Sequence, residues 1–511
     1  MIAFPILTWI TFVPLIGAAV VLLMPKAQER LIKWVSLLFT LFHFALVIPL
    51  LTAFNPNIGG MKLGAINEGM QFVERVPWIP NLGISYHVGV DGLSILMVLL
   101  SSLISLIAMI SSWTVADRVK EYFFLFLTLE TGMMGVFVSL DLFLFFIFWE
   151  VMLIPMYFLI GIWGGPRRKY AAIKFFLYTL IGSVFMLVCF IALYLVGGNT
   201  FDLLILMQSV PYPFYFALPV FLALFIGFAI KIPLWPFHTW LPDAHVEAST
   251  AISVILAGVL LKMGTYGILR VCYPLFPEVA VMFAIPMAIL AVINVIYGAF
   301  LALNQTDFKK LVAYSSISHM GIVLLGMASF TNHGFHGALL QMFNHGTVTA
   351  MLFLLAGVIY DRAHTRDMNL LGGLGVNMPK YNGVMAVAAF AALGIPGLSI
   401  FVGEFLSFLG AFESPIPHMI WFSVAATFGM VITTGYIVWL LQRVYYGQLN
   451  PRWAGLPDLN AREVIMLSPL VLVAFFLGSY PAPALELMSA TMNGLLDMMI
   501  HPAAVQMTTL P

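Results

Sequence analysis

Apolar runs of roughly 20 residues follow one another along the chain, with short polar connections between them. A helix rises about 1.5 Å per residue, so each run is long enough to cross a bilayer. The runs do not alternate polar and apolar residues, as the strands of a closed barrel do. The pattern therefore predicts an all-α polytopic membrane protein with about 14 transmembrane helices. The predicted spans are 3–24, 31–53, 93–112, 121–140, 142–163, 173–196, 214–235, 247–270, 279–300, 308–328, 335–358, 382–411, 420–442 and 464–488.

The seventh and the twelfth spans are interrupted by helix-breaking residues, at Lys231-Ile232-Pro233 and at Gly394-Ile395-Pro396-Gly397. The two spans lie five helices apart. A repeat unit with an odd number of helices must have the opposite orientation in the membrane from the unit before it. Paired breaks of this kind are typical of inverted repeats with ion sites at the breaks, so we expect two inverted five-helix repeats. The predicted divisions are 1–120 (first helices and an external loop), 121–270 (first half), 271–442 (second half) and 443–511 (last helix and tail).

Composition supports a membrane setting and excludes several other classes of protein. Of the 511 residues, 62% are hydrophobic and only 9% are charged, whereas soluble domains average about 25% charged residues. The formal net charge is +0, so no basic surface indicates a nucleic-acid partner. The two cysteines, Cys189 and Cys272, cannot supply the four thiolates of a typical iron–sulfur cluster. We therefore expect a lipid bilayer around the chain and no nucleic acid.

Most of the 22 lysines and arginines lie in the loops that follow odd-numbered spans. The positive-inside rule places these loops in the cytoplasm or an equivalent compartment, and both chain termini outside. The longest external connection is 54–92, in which Asn81–Ser94 is predicted to form a short strand or turn. The tail after residue 488 is predicted to lie along the outer surface.

Two lysines lie inside apolar stretches, Lys231 at the seventh-span break and Lys262 within the eighth span. An ammonium group in hydrocarbon costs from a few to about ten kcal/mol, so such residues usually serve a function. Lys231 could instead extend its amine to the membrane surface, because its apolar run ends soon afterwards. Lys262 has apolar sequence on both sides, and small residues such as Gly258 on its face leave room for close helix contact.

Among the other ionisable residues within predicted spans, four are candidates for the same chemistry: Glu150, His319, His345 and Glu404. Each acid could be a structural residue bonded to neighbouring polar groups, and each histidine could join two helices through a hydrogen bond. As functional groups they are suited to passing protons, because an imidazole titrates near neutral pH. A carboxylate that approaches or leaves Lys231 would change how strongly the amine holds its proton, a role that we assign to Glu150.

Other chemistry has little support in the sequence. His238 and His245 flank prolines on the predicted cytoplasmic side, and His333 and His336 are predicted to lie in an external loop. None of these histidines has the Cys or carboxylate neighbours of a catalytic zinc site. The chain has no glycine-rich phosphate loop after a strand and no nucleophile elbow, so we expect neither nucleotide binding nor Ser–His–Asp catalysis.

Long motifs between residues 231 and 405 are similar to those of one family of membrane subunits. They are KIPLWPFHTWLPDAHVEAST at 231–250, LLKMGTYG at 260–267, DFKKLVAYSSISHMG at 307–321 and GIPGLSIFVGEF at 394–405. The chain resembles the antiporter-like membrane subunits of respiratory complex I, a family that also occurs in multisubunit cation/proton antiporters and membrane-bound hydrogenases. Glu404 stands where the paralogues within that family carry lysine, so the resemblance is to one particular member.

The resemblance implies fourteen core helices with two inverted five-helix halves. It also implies a role for each residue at a matching position: Glu150 and Lys231 as an input-side pair, Lys262 and His319 as a central relay, Glu404 as the output site and His345 as a further relay member. The implied partners are other membrane-arm subunits, including two antiporter-like paralogues. NADH, flavin, iron–sulfur clusters and quinone would belong to those partners, with no cofactor and no metal in this chain.

The expected function is therefore redox-coupled proton translocation, as one subunit of an NADH:quinone oxidoreductase in a bacterial inner membrane or an equivalent energy-transducing membrane. Energy would arrive from a neighbouring subunit near Glu150 and pass through Lys231 to the central residues. Two alternatives remain at this point: a subunit of a Na⁺/H⁺ antiporter complex, and a structural spacer in which all buried charges are static ion pairs.

Overall fold

A computed structural model describes residues 4–60 and 69–507, with side chains placed as far as residue 500. Helices make up most of the described chain. In chain order they are α1 (Ile6–Leu23), α2 (Glu29–Ala53), α3 (Gly92–Ser111), α4 (Val119–Val138), α5 (Leu142–Trp163), α6 (Arg168–Val196), α7 (Leu203–Leu206), α8 (Phe214–Lys231), α9 (Trp240–Glu247), α10 (Thr250–Leu275), α11 (Pro277–Met282), α12 (Ala284–Leu303), α13 (Phe308–Ala328), α14 (Asn332–Ala363), α15 (Leu374–Asn377), α16 (Pro379–Ala392), α17 (Ser399–Phe412), α18 (Met419–Val444), α19 (Ala461–Ser479) and α20 (Ala482–Met507).

The all-α membrane fold is confirmed. Among the described residues, 13 helices are long and apolar enough to cross a membrane. They occupy the predicted positions of every span except the twelfth, which consists of the two shorter helices α16 and α17. The inverted repeat and the four predicted divisions of the chain stay predictions.

The predicted last span, 464–488, is wrong at its C-terminal end. Helix α19 ends at Ser479, and α20 begins at Ala482 after the dipeptide Tyr480-Pro481. Proline has no amide hydrogen to donate to the preceding turn, so the helix stops there although the sequence remains apolar. The predicted outer tail is the helix α20, and its Thr491 hydroxyl accepts a hydrogen bond of 2.9 Å from Gly92 N, at the start of α3.

The external connection contains a β-hairpin of β1 (Gln71–Ile79) and β2 (Ile84–Val90), paired antiparallel. The prediction of a strand in Asn81–Ser94 is confirmed by β2, whereas β1 was not predicted. Asp202 holds the hairpin on the helices, since its carboxylate lies 3.0 Å from His87 Nδ1 and 2.9 Å from an Arg75 nitrogen. Burial works to raise the pKa of Asp202, but the hydrogen bond and charge of His87, together with Arg75, leave it lowered.

Aspartates determine where several helices begin. The side chain of Asp91 caps α3, and those of Asp141, Asp202 and Asp307 cap α5, α7 and α13. Each carboxylate accepts hydrogen bonds from backbone amides that have no partner within the first turn of the helix. These caps fix the ends of helices that carry functional side chains deeper in the membrane.

Three helices, α10, α13 and α14, form the centre of the molecule and are almost completely buried. Their backbones approach closely at glycines: a Cβ on Gly346 would lie 2.8 Å from the carbonyl oxygen of Gly258. Helices α2 and α6 lie at the periphery and expose apolar side chains such as Leu177 and Val188. The fold therefore surrounds the central helices with protein and leaves apolar outer faces for lipid or neighbouring subunits.

Both predicted helix breaks are confirmed. Between α8 and α9, Asn294 accepts a hydrogen bond from Trp235 N at 2.8 Å and donates one to the Pro233 carbonyl at 3.2 Å. Between α16 and α17, Gly394 and Gly397 have φ values of 68° and 92°, which favour glycine. Irregular backbone persists within a membrane only where protein or water satisfies its polar groups, and the Asn294 side chain does so at the first break.

Candidate functional site

Lys262 lies in the middle of α10 and is completely buried. Its Nζ donates to the Ala257 carbonyl at 2.5 Å and lies 2.8 Å from Nδ1 of His345 on α14. Ala257 belongs to a π-helical segment, Leu256–Leu260, and such widened turns are frequent at functional sites. Among the described carboxylates, none forms an ion pair with this amine, so neutral groups hold it.

A row of polar side chains continues from this lysine through the central helices. The ring centroids of His345 and His319 are 5.7 Å apart. Nδ1 of His319, on α13, lies 3.0 Å from Oε1 of Glu404, on α17. We call Lys262, His345, His319 and Glu404 the central row. All four residues were predicted from the sequence, and the structure brings them together.

The second helix break makes room for the carboxylate at the end of the row. Glu404 is 3% exposed, and its Oε1 accepts a hydrogen bond of 3.3 Å from Gln341 Nε2. The φ of 68° at Gly394 favours glycine, and a Cβ there would lie 2.6 Å from Oε2 of Glu404 and displace the carboxylate. Oε2 is buried and has no hydrogen-bond partner in the described part of the chain. The carboxylate is thus held at one oxygen and is free to bind a proton at the other.

Lys231, the last residue of α8, is 1% exposed. Its Nζ lies 5.4 Å from the ring centroids of both Trp149 and Phe175, and 3.7 Å from the sulfur of Met152. The alternative that this amine extends to the membrane surface is therefore wrong. Aromatic faces stabilise a buried cation without neutralising it, so Lys231 remains responsive to charges that approach it.

Glu150 lies one residue from Trp149 on α5 and is partly exposed. Its Oε1 is buried and lacks a hydrogen-bond partner among the described residues. The expected input-side pair, Glu150 and Lys231, forms no ion pair among the described residues. Its role as a gate stays a prediction.

His245, which flanks the prolines on the predicted cytoplasmic side, is buried inside the protein. The residue lies in α9, is 0% exposed and stacks on Phe353 with ring centroids 4.5 Å apart. Neither of its ring nitrogens has a hydrogen-bond partner among the described residues.

Lys309, which the sequence indicated only as a loop charge, is also buried and donates to the Ala248 carbonyl at 2.5 Å. The sequence offered one indication of this burial, because Lys309 stands in the first turn of an apolar span, in the segment DFKKL.

A cavity of about 280 Å³ lies at the ends of α3, α5 and α14 that the predicted topology places in the cytoplasm. Its lining includes Glu247, Ser249, Lys309 and Arg366. The Ser249 hydroxyl is buried and has no hydrogen-bond partner in the described part of the chain. Because the lining residues 246–251 directly follow His245, this polar space brings the cytoplasmic side close to the centre of the molecule.

A buried acid–imidazole pair that the sequence pattern did not predict lies between α2 and α4. His43 Nδ1 lies 2.5 Å from Oε1 of Glu130, and the Thr40 hydroxyl donates to Oε2 at 3.0 Å. Ser36, Thr40 and His43 recur at helical spacing on an otherwise apolar helix, and this polar stripe was the available signal. The contacts join α2 to α4 and do not connect with the central row.

The prediction that His333 and His336 lie in an external loop is wrong, because both residues are in a helix. His333 and His336 are in the first turns of α14, where His333 Nδ1 lies 2.6 Å from Glu413 Oε2 and His336 Nε2 lies 3.2 Å from Ser489 Oγ. Across the described residues, no three His, Cys, Asp or Glu side chains are arranged to hold a metal ion.

Comparison with known proteins gives consistent results. The family model described as "NADH:quinone oxidoreductase/Mrp antiporter, TM" matches residues 139–433. The NADH-quinone oxidoreductase subunit M of Rhodobacter capsulatus is 44% identical over 509 residues, covering 96% of each chain. A protein of Nostoc sp. named NAD(P)H-quinone oxidoreductase chain 4 is 40% identical, over 94% of this chain and 89% of its own length.

Solved structures show the same architecture. A chain of respiratory complex I from Thermus thermophilus superposes with a TM-score of 0.86 at 29% identity, covering 97% of this chain and 100% of that one. A chain of the Mrp complex from Dietzia sp. has a TM-score of 0.85 at 22% identity, over 99% of this chain and 100% of that one. The second likeness concerns the fold alone.

Proposed function

This chain belongs to the family of membrane subunits common to NADH:quinone oxidoreductases and Mrp antiporters, and from this we propose that it translocates protons as a subunit of an NADH:quinone oxidoreductase. The observation that carries the proposal is the contiguity of the central row. Amine, two imidazoles and carboxylate follow one another through the buried helices, with 2.8 Å between Lys262 and His345, 5.7 Å between the ring centroids of the two histidines and 3.0 Å between His319 and Glu404.

The chemistry of the row is suited to proton transfer. An imidazole accepts a proton at one nitrogen and releases one from the other, so His345 and His319 can pass protons without moving far. The amine of Lys262 is positively charged when it holds a proton, whereas the carboxylate of Glu404 is neutral when it holds one. The two ends of the row therefore store a proton in different charge states. Moving one charge against 100 mV costs about 2.3 kcal/mol, and a change of one to two pKa units supplies that amount.

The energy for each transfer would come from outside the chain. In this proposal Glu150 and Lys231 act ahead of the central row, and the described residues hold no ion pair between them. A change of charge or shape in an adjoining subunit that closes this pair would strengthen the hold of Lys231 on its proton. NADH oxidation, flavin, iron–sulfur clusters and the quinone site belong to partner subunits under this proposal, and this chain contributes the membrane pathway.

Two alternatives receive less support. Sodium transport would require several oxygen ligands around the ion, because hard cations prefer carboxylate, carbonyl and water oxygens. The central row contains one carboxylate beside nitrogen groups. A structural spacer would keep its buried charges in static ion pairs, but neither Lys231 nor Lys262 has such a partner among the described residues. Both observations favour a proton pathway.

The test is the proton-to-electron ratio of the assembled complex in sealed proteoliposomes. The variant Lys262→Met keeps the bulk of the side chain and removes its exchangeable protons, so we expect NADH oxidation to continue with a lower ratio. Lys310→Met, in the first turn of α13, removes a lysine outside the row and should leave the ratio unchanged. A Lys262→Met complex that assembles and pumps with the unaltered ratio would overturn the proposal, and a defect of assembly alone would support the spacer.

A further inference from the structure

Arg270 lies two helical turns beyond Lys262 on α10, at the end that the predicted topology places outside. Although it is a full cation, it is completely buried. Its guanidinium donates to both oxygens of Asp91, at 2.7 Å and 2.5 Å, to the Ser94 hydroxyl at 2.8 Å and to the Tyr266 hydroxyl at 3.0 Å. All three nitrogens of the side chain are therefore engaged in hydrogen bonds.

The carboxylate of Asp91 is engaged as completely as the arginine. Besides the two bonds from Arg270, its Oδ1 accepts from Leu93 N at 3.1 Å and from Ser94 N at 3.0 Å, because Asp91 is also the N-cap of α3. Helix α20 lies over this end of α3, where a Cβ on Gly92 would come within 2.7 Å of Met488 Cα. Backbone therefore covers the pair on its outer side.

Tyr266 lies between Lys262 and this ion pair, one turn from each, and it too is completely buried. Its hydroxyl donates its single proton to the Phe137 carbonyl at 2.9 Å and accepts from Arg270. A backbone carbonyl has no proton of its own to pass on. The hydroxyl next to the lysine is therefore oriented away from relay chemistry.

A proton pathway needs groups that pass a proton onward, and the hydroxyls of Ser94 and Tyr266, which lie 3.2 Å apart, lead only to the backbone carbonyl of Phe137. A guanidinium does not lose its proton in proteins, and the Asp91 carboxylate already accepts four hydrogen bonds. The inner side of Lys262 is different: a polar cavity reaches Ser249 and Lys309, and both nitrogens of His245 lack partners among the described residues. The two ends of α10 thus differ in their capacity to conduct protons.

We propose that Asp91, Ser94, Tyr266 and Arg270 form a proton-tight outer seal on α10, so that a proton on Lys262 can move toward His345 and Glu404 but cannot leave directly along the helix. The inference rests on the proposed function and adds a requirement to it, because a pump must prevent protons from flowing back. The seal residues are positioning residues that act by excluding a pathway, and they take no part in proton transfer.

The experiment measures passive proton flux into proteoliposomes that contain the assembled complex, driven by a potassium diffusion potential in the absence of NADH. Arg270→Lys keeps the positive charge but replaces the fork with an amine that can exchange its proton. We expect proton flux to rise about tenfold or more, equivalent to a barrier lowered by about 1.4 kcal/mol. An assembled Arg270→Lys complex as tight as the wild type would overturn the seal.

Three further variants make the result specific. Arg362→Lys alters the similar arginine–carboxylate pair with Glu463, whose hydrogen bonds measure 2.9 Å and 2.6 Å, and it should cause no leak because it lies away from Lys262. Asp91→Asn keeps an oxygen at the N-cap, so it is the second test of the seal if Arg270→Lys does not assemble. We expect proton flux to rise in the assembled Asp91→Asn complex as well. Adding Lys262→Met should abolish the leak; a leak that persists would support the seal while contradicting transfer through Lys262.

Discussion

At the scale of single residues, the account depends on imidazole groups placed between an amine and an acid. His319, on the central helix α13, links the central helices to the broken twelfth span, because it contacts Glu404 directly and lies beside His345. Its hydrogen bond alone would serve to hold helices together. What distinguishes a relay from a structural contact is whether the ring must carry a proton.

Replacing His319 with Gln separates these two roles. Glutamine can still donate a hydrogen bond to Glu404, but it cannot be protonated at neutral pH, so we expect proton transfer through the row to fall about 100-fold or more. The measurement is the initial rate of redox-driven acidification in proteoliposomes at equal NADH oxidation. His333→Gln is the matched control, because His333 also lies against a carboxylate, that of Glu413, at 2.6 Å on the surface. Equal pumping in both variants would show that His319 is structural.

Sequence reasoning found the central row because a charge in a long apolar stretch is a strong signal by itself. Lys262 and Glu404 could be singled out without knowledge of their partners. The pairing of Asp91 with Arg270 could not be predicted, since the two are 179 positions apart in the chain and each ends an apolar run, where a charge is ordinary. Glu130 and His43 lie in the middle of their spans, and each gave a signal of its own, but their contact exists only once α2 and α4 pack.

At the scale of elements, the broken helices and close-packed glycines place the functional groups. The two breaks were predictable, because proline and glycine within an apolar span have a direct effect on the backbone. The strand β1 was not predictable, since Pro77 and the charges Glu74 and Arg75 weaken its pattern. Helix α20 was missed because apolar sequence continues through the stop at Tyr480-Pro481, and a hydropathy pattern alone cannot show that a helix restarts.

The contact between α14 and α17 gives a prediction at this scale. A Cβ on Gly403 would lie 2.7 Å from Gln341 Oε1 and 2.9 Å from Gln341 Cα, so Gly403→Ala must push α17 away from α14. We expect a loss of about 1–3 kcal/mol in stability, together with weakened binding of Gln341 to Glu404 and slower pumping.

Thermal unfolding of the purified complex and its pumping rate check this expectation. Gly435→Ala on α18 is the control, because a Cβ there would meet nothing within 4 Å. The control should be neutral or slightly stabilising, since alanine favours a helix over glycine by about 0.5–1 kcal/mol. If Gly403→Ala matches the control in both measurements, the close contact does not determine the position of Glu404.

At the scale of the whole molecule, the central helices connect a polar cavity, on the side that the predicted topology places in the cytoplasm, to a buried row. Apolar helices surround this core, and under the proposal Glu150 and Lys231 receive the signal from outside the chain. The chain is part of a multisubunit membrane complex, as its relatives and structural neighbours are. The arrangement of its polar groups therefore supports a single proton pathway that is driven by the adjoining subunits.

The central claim is that the residues of the row act in series, and the proton-to-electron ratio of a double variant tests it most directly. Lys262→Met and Glu404→Gln should each remove the contribution of this chain to pumping. Because a pathway broken once gains no further defect from a second break, the double variant should show the same ratio as each single variant. A double variant with a ratio clearly below both single variants would contradict the account, since independent sites lose their contributions separately.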